Sequence, residues 1–389
     1  MENLLFRKLN NLCIYLTLIL VNISYCPGII LTPYYKFIIA IIMGAIVLSL
    51  VLNLKRDLFL AISLYLYYGV FALLLCSIVF IFSGVFIFNV SSNIFLTITC
   101  FLLGYCCEEH SENFIRRCMK IYVLAALFLG LYSIYTNLGG FIISSQYAFA
   151  VKNSSGVLLG TAIILCTFII NQTSKKMNLI LWMVVMFLLC ACLLTFRCRT
   201  AIISVFFAIF YFLYKKNMLI LILRNPFVLL FLCIVLFIVS ILDLFPIDFI
   251  YDSLFANKNV NSVDSITSGR LSTYEVGLQT FLESPFLGNA LLNKQLSPVD
   301  NFIIGHLTFY GIVGAILVFP PYLYTWFICL KGMAKAASNN LYPFLCLFLL
   351  CMTSFTEGPY PFGPGTPVVC GWFLIGWFFK KNKLSKYQL

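Results

Sequence analysis

Long apolar runs separated by short polar segments fill most of this chain, and they set the expected architecture. The runs show neither the spacing of half-buried helices nor the alternation of strands. A transmembrane helix needs about 20 apolar residues to cross a hydrocarbon core of roughly 30 Å. Because lipid offers no partner for open backbone groups, these runs are expected to be helices. Twelve spans are predicted, at residues 10–25, 34–54, 58–82, 88–106, 118–136, 154–170, 178–195, 200–214, 226–246, 302–330, 341–356 and 366–380.

The pattern therefore predicts an all-α, polytopic integral membrane protein. One long polar segment, residues 247–301, interrupts the apolar runs and divides the chain into three parts. Residues 1–246 carry nine spans, the middle part is a large loop, and residues 302–389 carry three spans and a tail. The run at 302–330 is long for one span and contains Pro320-Pro321. A kink at the prolines, or an extension past the bilayer, is predicted there.

Composition agrees with a membrane protein and excludes several other classes. Hydrophobic residues make up 62% of the chain and charged residues 10%, against about 25% charged residues in soluble domains. The net charge of +12 does not indicate nucleic acid, because the basic residues stand in short clusters between apolar runs. The sixteen cysteines lie mostly inside those runs and show neither zinc spacing nor a disulfide framework. No metal and no cofactor is therefore expected.

The distribution of basic residues predicts which side of the membrane each loop faces. With the N-terminus in the cytoplasm, 18 of the 25 Lys and Arg residues fall on the cytoplasmic side and 7 on the other. Because Lys and Arg favour cytoplasmic loops, both termini are predicted inside and the 247–301 loop outside. Arg197 and Arg199 disobey this rule beside apolar runs. They either reach to lipid headgroups or serve a function.

The outer loop holds nine charged residues, so it is either a solvated linker or the place of a binding event or reaction. Its second half has apolar residues at helical spacing, with Ser268 as a candidate cap and Pro285 as the end. A short amphipathic helix beginning near Arg270 is predicted. It lies on the membrane surface or packs its apolar face on the spans. That face is formed by Leu271, Tyr274, Leu278, Phe281 and Leu282.

Two arginines on the outer side are candidates for holding an anion. The guanidinium stays charged and presents a rigid fork of donors that suits phosphate. Arg199 and Arg270 are both predicted near the outer bilayer surface, where a lipid-linked diphosphate would fit. The sequence contains no nucleotide-binding motif, which agrees with chemistry outside the cytoplasm.

Asp300 and His306 are the candidate proton acceptors. Asp300 precedes the run at 302–330, where its carboxylate either accepts a proton from a sugar hydroxyl or caps the helix. His306 is the alternative base, or it is only hydrogen-bonded to a neighbouring span. A second outer loop, residues 357–367, is rich in Gly and Pro and is predicted to rest on protein rather than lipid. Further candidates on the outer face are Lys152, Asn153, Tyr274, Glu275, Asn301 and Glu357.

Several motifs, taken in order, resemble the O-antigen polymerase and ligase superfamily. Phe196-Arg-Cys-Arg-Thr-Ala-Ile202 resembles its Ser-Arg-Thr/Gly stretch, and Lys152-Asn-Ser-Ser-Gly156 resembles an earlier motif. The resemblance covers about half of the chain, from residue 150 to 315. The outer-loop and following motifs are matched by Ser268-Gly-Arg270, Tyr274, Phe281, Ser284-Pro-Phe-Leu-Gly288, and Asp300-Asn301 with Gly311 and Gly314.

The resemblance implies a GT-C-like glycosyltransferase in the bacterial inner membrane, with its active site facing the periplasm. It implies metal-independent, inverting transfer of a glycan from undecaprenyl diphosphate. Arg199 and Arg270 would bind the diphosphate, and Arg197 is a weaker match. Ligases usually carry His at the position matched by Asp300, so the chain is closer to a polymerase.

Several alternatives and partners accompany this interpretation. The alternatives are an O-antigen ligase acting on lipid A-core and a transporter of lipid-linked sugars. A transporter is expected to carry charges near the bilayer midplane, and Asp243 near a span end suits that poorly. The expected partners are the lipid-linked oligosaccharide, membrane lipids and a chain-length regulator protein, with no nucleic acid.

Overall fold

The structure is a computed structural model that describes residues 2–386, apart from residues 31, 54–57, 85–87, 108, 110, 137–151, 219–269, 293, 297–298 and 364. Its described residues form helices and turns and no strand, so the predicted all-α class is confirmed for this part of the chain. The α-helices are α1 Glu2–Ile23, α2 Tyr34–Asn53, α3 Leu58–Ser83, α4 Phe88–Tyr105, α5 Glu112–Thr136, α6 Lys152–Asn171, α7 Lys176–Thr195, α8 Arg199–Lys215, α9 Arg270–Glu283, α10 Asn289–Leu292, α11 Phe302–Lys335, α12 Tyr342–Thr353 and α13 Val369–Lys386.

Six of these helices, α2, α3, α5, α6, α7 and α11, are long and apolar enough to cross a membrane. Each coincides with a predicted span, and α1, α4, α8, α12 and α13 coincide with five more. The predicted span at 226–246 and the first part of the 247–301 loop lie outside the described residues. The chain is thus a membrane-embedded helical protein, while the count of twelve spans stays a prediction.

Helix α6 lies at the centre of the bundle. In its apolar window 78% of residues are buried, against 28% in α2, α3 and α7. It packs against α5, α7, α8 and α12. The first residue of α6, Lys152, therefore emerges in the middle of one end of the bundle.

Helices α4 and α13 meet backbone to backbone. A Cβ added at Gly104 would lie 2.0 Å from the Phe373 carbonyl oxygen, and one at Gly376 would lie 1.9 Å from the Phe101 carbonyl oxygen. Small residues permit this close approach between helices in lipid, where packing rather than the hydrophobic effect drives association. Glycine at these two positions therefore fixes how α13 sits on the bundle.

Polar contacts gather at the two ends of the bundle. At one end Arg7 pairs with Glu109, Glu112 with Lys381, and Asn171 with Lys216, all in segments predicted to face the cytoplasm. At the other end the Ser24 and Thr366 hydroxyls lie 3.3 Å apart, and Asn153 contacts Glu357, all in segments predicted to face outward. The described contacts thus agree with a two-sided protein.

Helix α11 is interrupted at Gly311, not at the two prolines. Gly311 has φ 59° and ψ −159°, a conformation essentially restricted to glycine. Residues 285–288 fill the break: the N–H of Ile312 donates to the Pro285 carbonyl at 2.9 Å, and that of Val313 to the Phe286 carbonyl at 3.1 Å. Pro320 and Pro321 remain inside helical backbone. The kink predicted at the prolines, and the alternative of an extension past the bilayer, stay predictions.

Helix α9 confirms the predicted helix of the outer loop, although its buried face is not the predicted one. It begins at Arg270 and ends at Glu283, just before Pro285, while Ser268 lies outside the described residues. Gly277 and Thr280 are the buried positions, and Gly277 lies against Thr308 of α11. Leu271, Leu278 and Leu282 are exposed, while Tyr274 and Phe281 are half-buried. The alternative in which the whole apolar face packs on the spans is therefore wrong. Exposed leucines suit a helix at the membrane surface.

Candidate functional site

Four helices begin close together at one end of the bundle: α6 at Lys152, α8 at Arg199, α9 at Arg270 and α11 at Phe302. Contacts of residues at or beside these starts hold the four helix ends together. The first N–H groups of a helix lack intrahelical partners, and the helix start carries a partial positive charge of about half a unit. The end of the bundle is therefore electropositive before any side chain is considered.

Close packing aligns the starts of α6 and α8. The Cys198 thiol donates to the Asn153 carbonyl at 3.8 Å. A Cβ added at Gly156 would lie 2.5 Å from the Cys198 Cβ, so only glycine allows this approach. On the other side, the Thr200 and Thr356 hydroxyls lie 2.8 Å apart and tie α8 to the loop that carries Glu357.

Four basic side chains form what we call the basic cluster: Lys152 senses the charges of Arg197, Arg199 and Arg270, and Arg199 also senses that of Arg270. Arg197 follows α7 in the left-handed region, with φ 52°, a conformation common just after a helix end. Its Nη1 is buried and has no hydrogen-bond partner among the described residues. Leaving a buried guanidinium N–H without a partner costs free energy of folding, so this atom is a candidate hydrogen-bond donor to a bound anion.

Two carboxylates, which we call the acidic pair, face the basic cluster: Asp300 and Glu357. Arg270 joins them, with its Nε 3.7 Å from Asp300 Oδ2 and its Nη2 3.4 Å from Glu357 Oε1. The amide of Asn153 donates to the same Oε1 of Glu357. Glu357 is held in a turn, where its N–H donates to the Thr353 carbonyl at 2.9 Å. Because four basic groups face two acidic ones, the site keeps an excess of positive charge.

Burial perturbs both members of the acidic pair. It raises the pKa of Glu357 to about 7, and the negative charge of Asp300 adds to the rise, while Arg270, Asn153 and Lys152 act in the opposite direction. Burial also raises the pKa of Asp300, against the effect of Arg270. The Glu357 side chain is 21% exposed and that of Asp300 46%. Glu357 therefore exchanges its proton near neutral pH, as a general acid or base requires.

Asn301, not Asp300, caps α11. Its side-chain oxygen accepts from the N–H of Ile304 at 3.0 Å, and its amide donates to the Phe355 carbonyl at 3.3 Å. The Tyr274 hydroxyl lies 2.9 Å from the Asp300 carbonyl oxygen and 3.1 Å from that of Phe355. The capping interpretation of Asp300 is thus wrong, and its carboxylate is available to Arg270.

His306 lies apart from the acidic pair. Its Nδ1 is 2.6 Å from the Phe302 carbonyl oxygen, one helical turn earlier in α11. If Nδ1 donates this hydrogen bond, Nε2 is left as an acceptor. The residue lines a cavity of about 220 Å³ together with Asn93, Tyr310 and Pro359, among others. No contact joins His306 to Asp300 or to the basic cluster in the part of the chain that the structure describes.

The structure thus brings together most of the residues that the sequence nominated, from positions up to 205 residues apart. Lys152, Asn153, Arg270, Asp300 and Glu357 are joined by direct contacts or by charge. Glu275 is not among them, because it is exposed on α9 and contacts none of these groups within the described ranges. Glu357 is among the residues nominated from the sequence, but its contact with Arg270 is not predicted there. The available signal is a lone acid at the start of a Gly- and Pro-rich loop.

Comparison of the sequence with models of protein families and with curated proteins finds no significant match. The function is therefore inferred from the chemistry of the site.

Proposed function

We propose that this chain is a membrane glycosyltransferase that polymerises O-antigen or a related repeat-unit polysaccharide. The donor is a growing glycan on undecaprenyl diphosphate, and the acceptor is the non-reducing end of a new lipid-linked repeat unit. The observation that carries the proposal is the basic cluster, gathered where four helices begin at the end of a membrane-embedded bundle.

The basic cluster suits a diphosphate attached to a lipid. Helix starts bind phosphate through their open N–H groups, and Arg presents paired donors that match phosphate oxygens. The buried Nη1 of Arg197 and the forked group of Arg270 supply such donors. The exposed leucines stand on α9, the helix that begins at Arg270, and can contact the lipid tail of the same substrate.

The proposed reaction needs a base and a stabilised leaving group. A carboxylate takes the proton from the acceptor hydroxyl, whose oxygen attacks the anomeric carbon of the donor sugar. The bond from that carbon to the phosphate oxygen breaks, and its electron pair leaves with undecaprenyl diphosphate. The basic cluster stabilises the charge that develops on the leaving group. Inversion follows from a single displacement at the anomeric carbon.

The proposed topology has the bacterial inner membrane as location, twelve spans, and the site facing the periplasm. Glu283 at the end of α9 is exposed and offers a labelling position. In a cysteine-depleted background, Glu283→Cys is expected to react with a membrane-impermeant thiol reagent in spheroplasts. If the cysteine at position 283 reacts only after the inner membrane is opened, the proposed orientation is wrong.

Chain extension by the purified protein tests the activity. With the lipid-linked repeat unit that accumulates in cells lacking this protein, the wild type is expected to produce a ladder of longer lipid-linked glycans. Deletion strains separate the alternatives. Single repeat units on lipid indicate a polymerase, full-length polymer left on undecaprenyl diphosphate indicates a ligase, and repeat units trapped at the cytoplasmic face indicate a transporter.

A further inference from the structure

The acidic pair is unexpected in a site built to hold an anion. Each carboxylate at a basic cluster weakens the binding of a diphosphate, because like charges repel. Arg270, which would contact the substrate, is engaged by both carboxylates. Acids kept at such a site need a role of their own, and the proposed reaction offers one, because it needs one carboxylate as its base.

The two carboxylates differ in their surroundings. Glu357 is held from two sides, by Asn153 of α6 and Arg270 of α9, and its backbone is fixed by the turn after α12. Both side-chain contacts end on Oε1, and within the described ranges no hydrogen bond or ion pair ends on Oε2. Asp300 is about twice as exposed, and its contact with Arg270 is longer. A base needs a fixed position close to the reacting proton.

The titratable groups around Glu357 favour proton exchange at neutral pH. Burial and, to a smaller extent, Asp300 raise its pKa, whereas Arg270 and Lys152 lower it, and the result is a value of about 7. The other titratable groups that sense Glu357 are Tyr274, Cys198 and Tyr360. Each ordinarily titrates above neutral pH, so Glu357 is the group of this set suited to exchange a proton near pH 7.

We propose that Glu357 is the catalytic base that accepts the proton of the acceptor hydroxyl, and that Asp300 is a positioning residue acting through Arg270 and Glu357. This inference rests on the proposed function. It replaces the sequence-based assignment of Asp300 as base, and it leaves His306 to line the neighbouring cavity.

Rate and binding, measured separately in nanodiscs, test the assignment. Chain extension is followed from pH 5.5 to 9, and affinity is measured with undecaprenyl diphosphate as probe. Glu357→Gln is expected to lose about 10²- to 10⁴-fold in rate, the usual contribution of a general base, while probe affinity stays equal or rises. Glu357→Asp keeps a carboxylate and is expected to retain more activity than the Gln variant. Glu283→Gln, which changes an exposed acid at the end of α9, is the matched control and is expected to behave like the wild type.

Asp300→Asn tests the positioning role of Asp300 through the pH profile of the rate, which would not shift if Asp300 only supported the fold. Removal of this neighbouring charge lowers the pKa of Glu357, so the acid limb of the rate profile is expected to shift to lower pH, with the rate largely kept above it. Glu357→Gln retaining the wild-type rate, or His306→Ala showing the large loss instead, would overturn the assignment. Absence of extension by the wild type, with no probe binding, would overturn the proposed function and this inference with it.

Discussion

Glu357 is predicted to cost the folded protein stability at neutral pH, and replacing it with Gln should recover that stability. Its pKa is about 7 in the folded protein, against an ordinary value of 4.5. Between these two values the folded state binds the proton more tightly than the unfolded chain does. Stability therefore falls as the pH rises from about 4.5 to about 7 and stays lower above it.

The size of the effect follows from the shift. One pKa unit corresponds to about 1.4 kcal/mol, so the full difference is about 3 kcal/mol as an upper bound. Glutamine has nearly the same shape and can still accept from Asn153, but it carries no charge to bury. Glu357→Gln is thus expected to unfold with a free energy up to about 3 kcal/mol above the wild type at pH 8, and less than about 1 kcal/mol above it at pH 5.

Denaturant titrations in detergent at pH 5 and pH 8 measure this difference. Glu283→Gln removes a half-exposed carboxylate that pairs with Lys294, and it is expected to show no comparable dependence on pH. The reasoning is refuted if the gap between Glu357→Gln and the wild type is equal at the two pH values, or if the wild type is the more stable protein at pH 8.

Three further predictions concern the cap, the helix break and the arginines. Asn301→Ala removes the side-chain acceptor for the Ile304 N–H and should lower stability by about 1 kcal/mol, measured by thermal melting in detergent. Gly311→Ala should cost roughly 2–6 kcal/mol, because a Cβ there would lie 2.4 Å from Phe286 backbone atoms at positive φ. Gly28→Ala, at positive φ but in open space, is its control, and equal melting temperatures for the two would contradict the contact argument. Arg270→Lys and Arg199→Lys should each abolish long polymer at normal protein level, since an ammonium lacks the fork; near-normal ladders from both would argue against paired donation to a diphosphate.

The sequence predicted the elements of the site better than their contacts. The apolar periodicity of the outer loop identified α9 and placed Arg270 at its start. It did not show which face is buried, because Gly277 and Thr280 pack through their small size rather than their hydrophobicity. The periodic pattern depends on apolar side chains, so it cannot reveal a buried face that is formed by small residues.

The partners of Glu357 could not be predicted from the chain. Asn153 and Arg270 lie 204 and 87 residues away from it, and no local pattern joins positions at such separations. Likewise, Asp300 and Asn301 are both good caps, and the sequence cannot decide between two neighbouring residues with the same preference. Backbone geometry decides it, because the Asn301 side chain reaches the Ile304 N–H.

The break in α11 carries a consequence for the order in which the protein is assembled. The piece at 302–310 spans only about 13.5 Å and cannot cross a bilayer unaided. Until residues 285–288 arrive, the N–H groups of Ile312 and Val313 have no acceptor, which lipid cannot provide. Residues 285–288 and the start of α11 are therefore expected to fold as one unit. A chain divided between α9 and α11 should then mature poorly even when both halves are made, whereas a division at residues 54–57 leaves this unit intact.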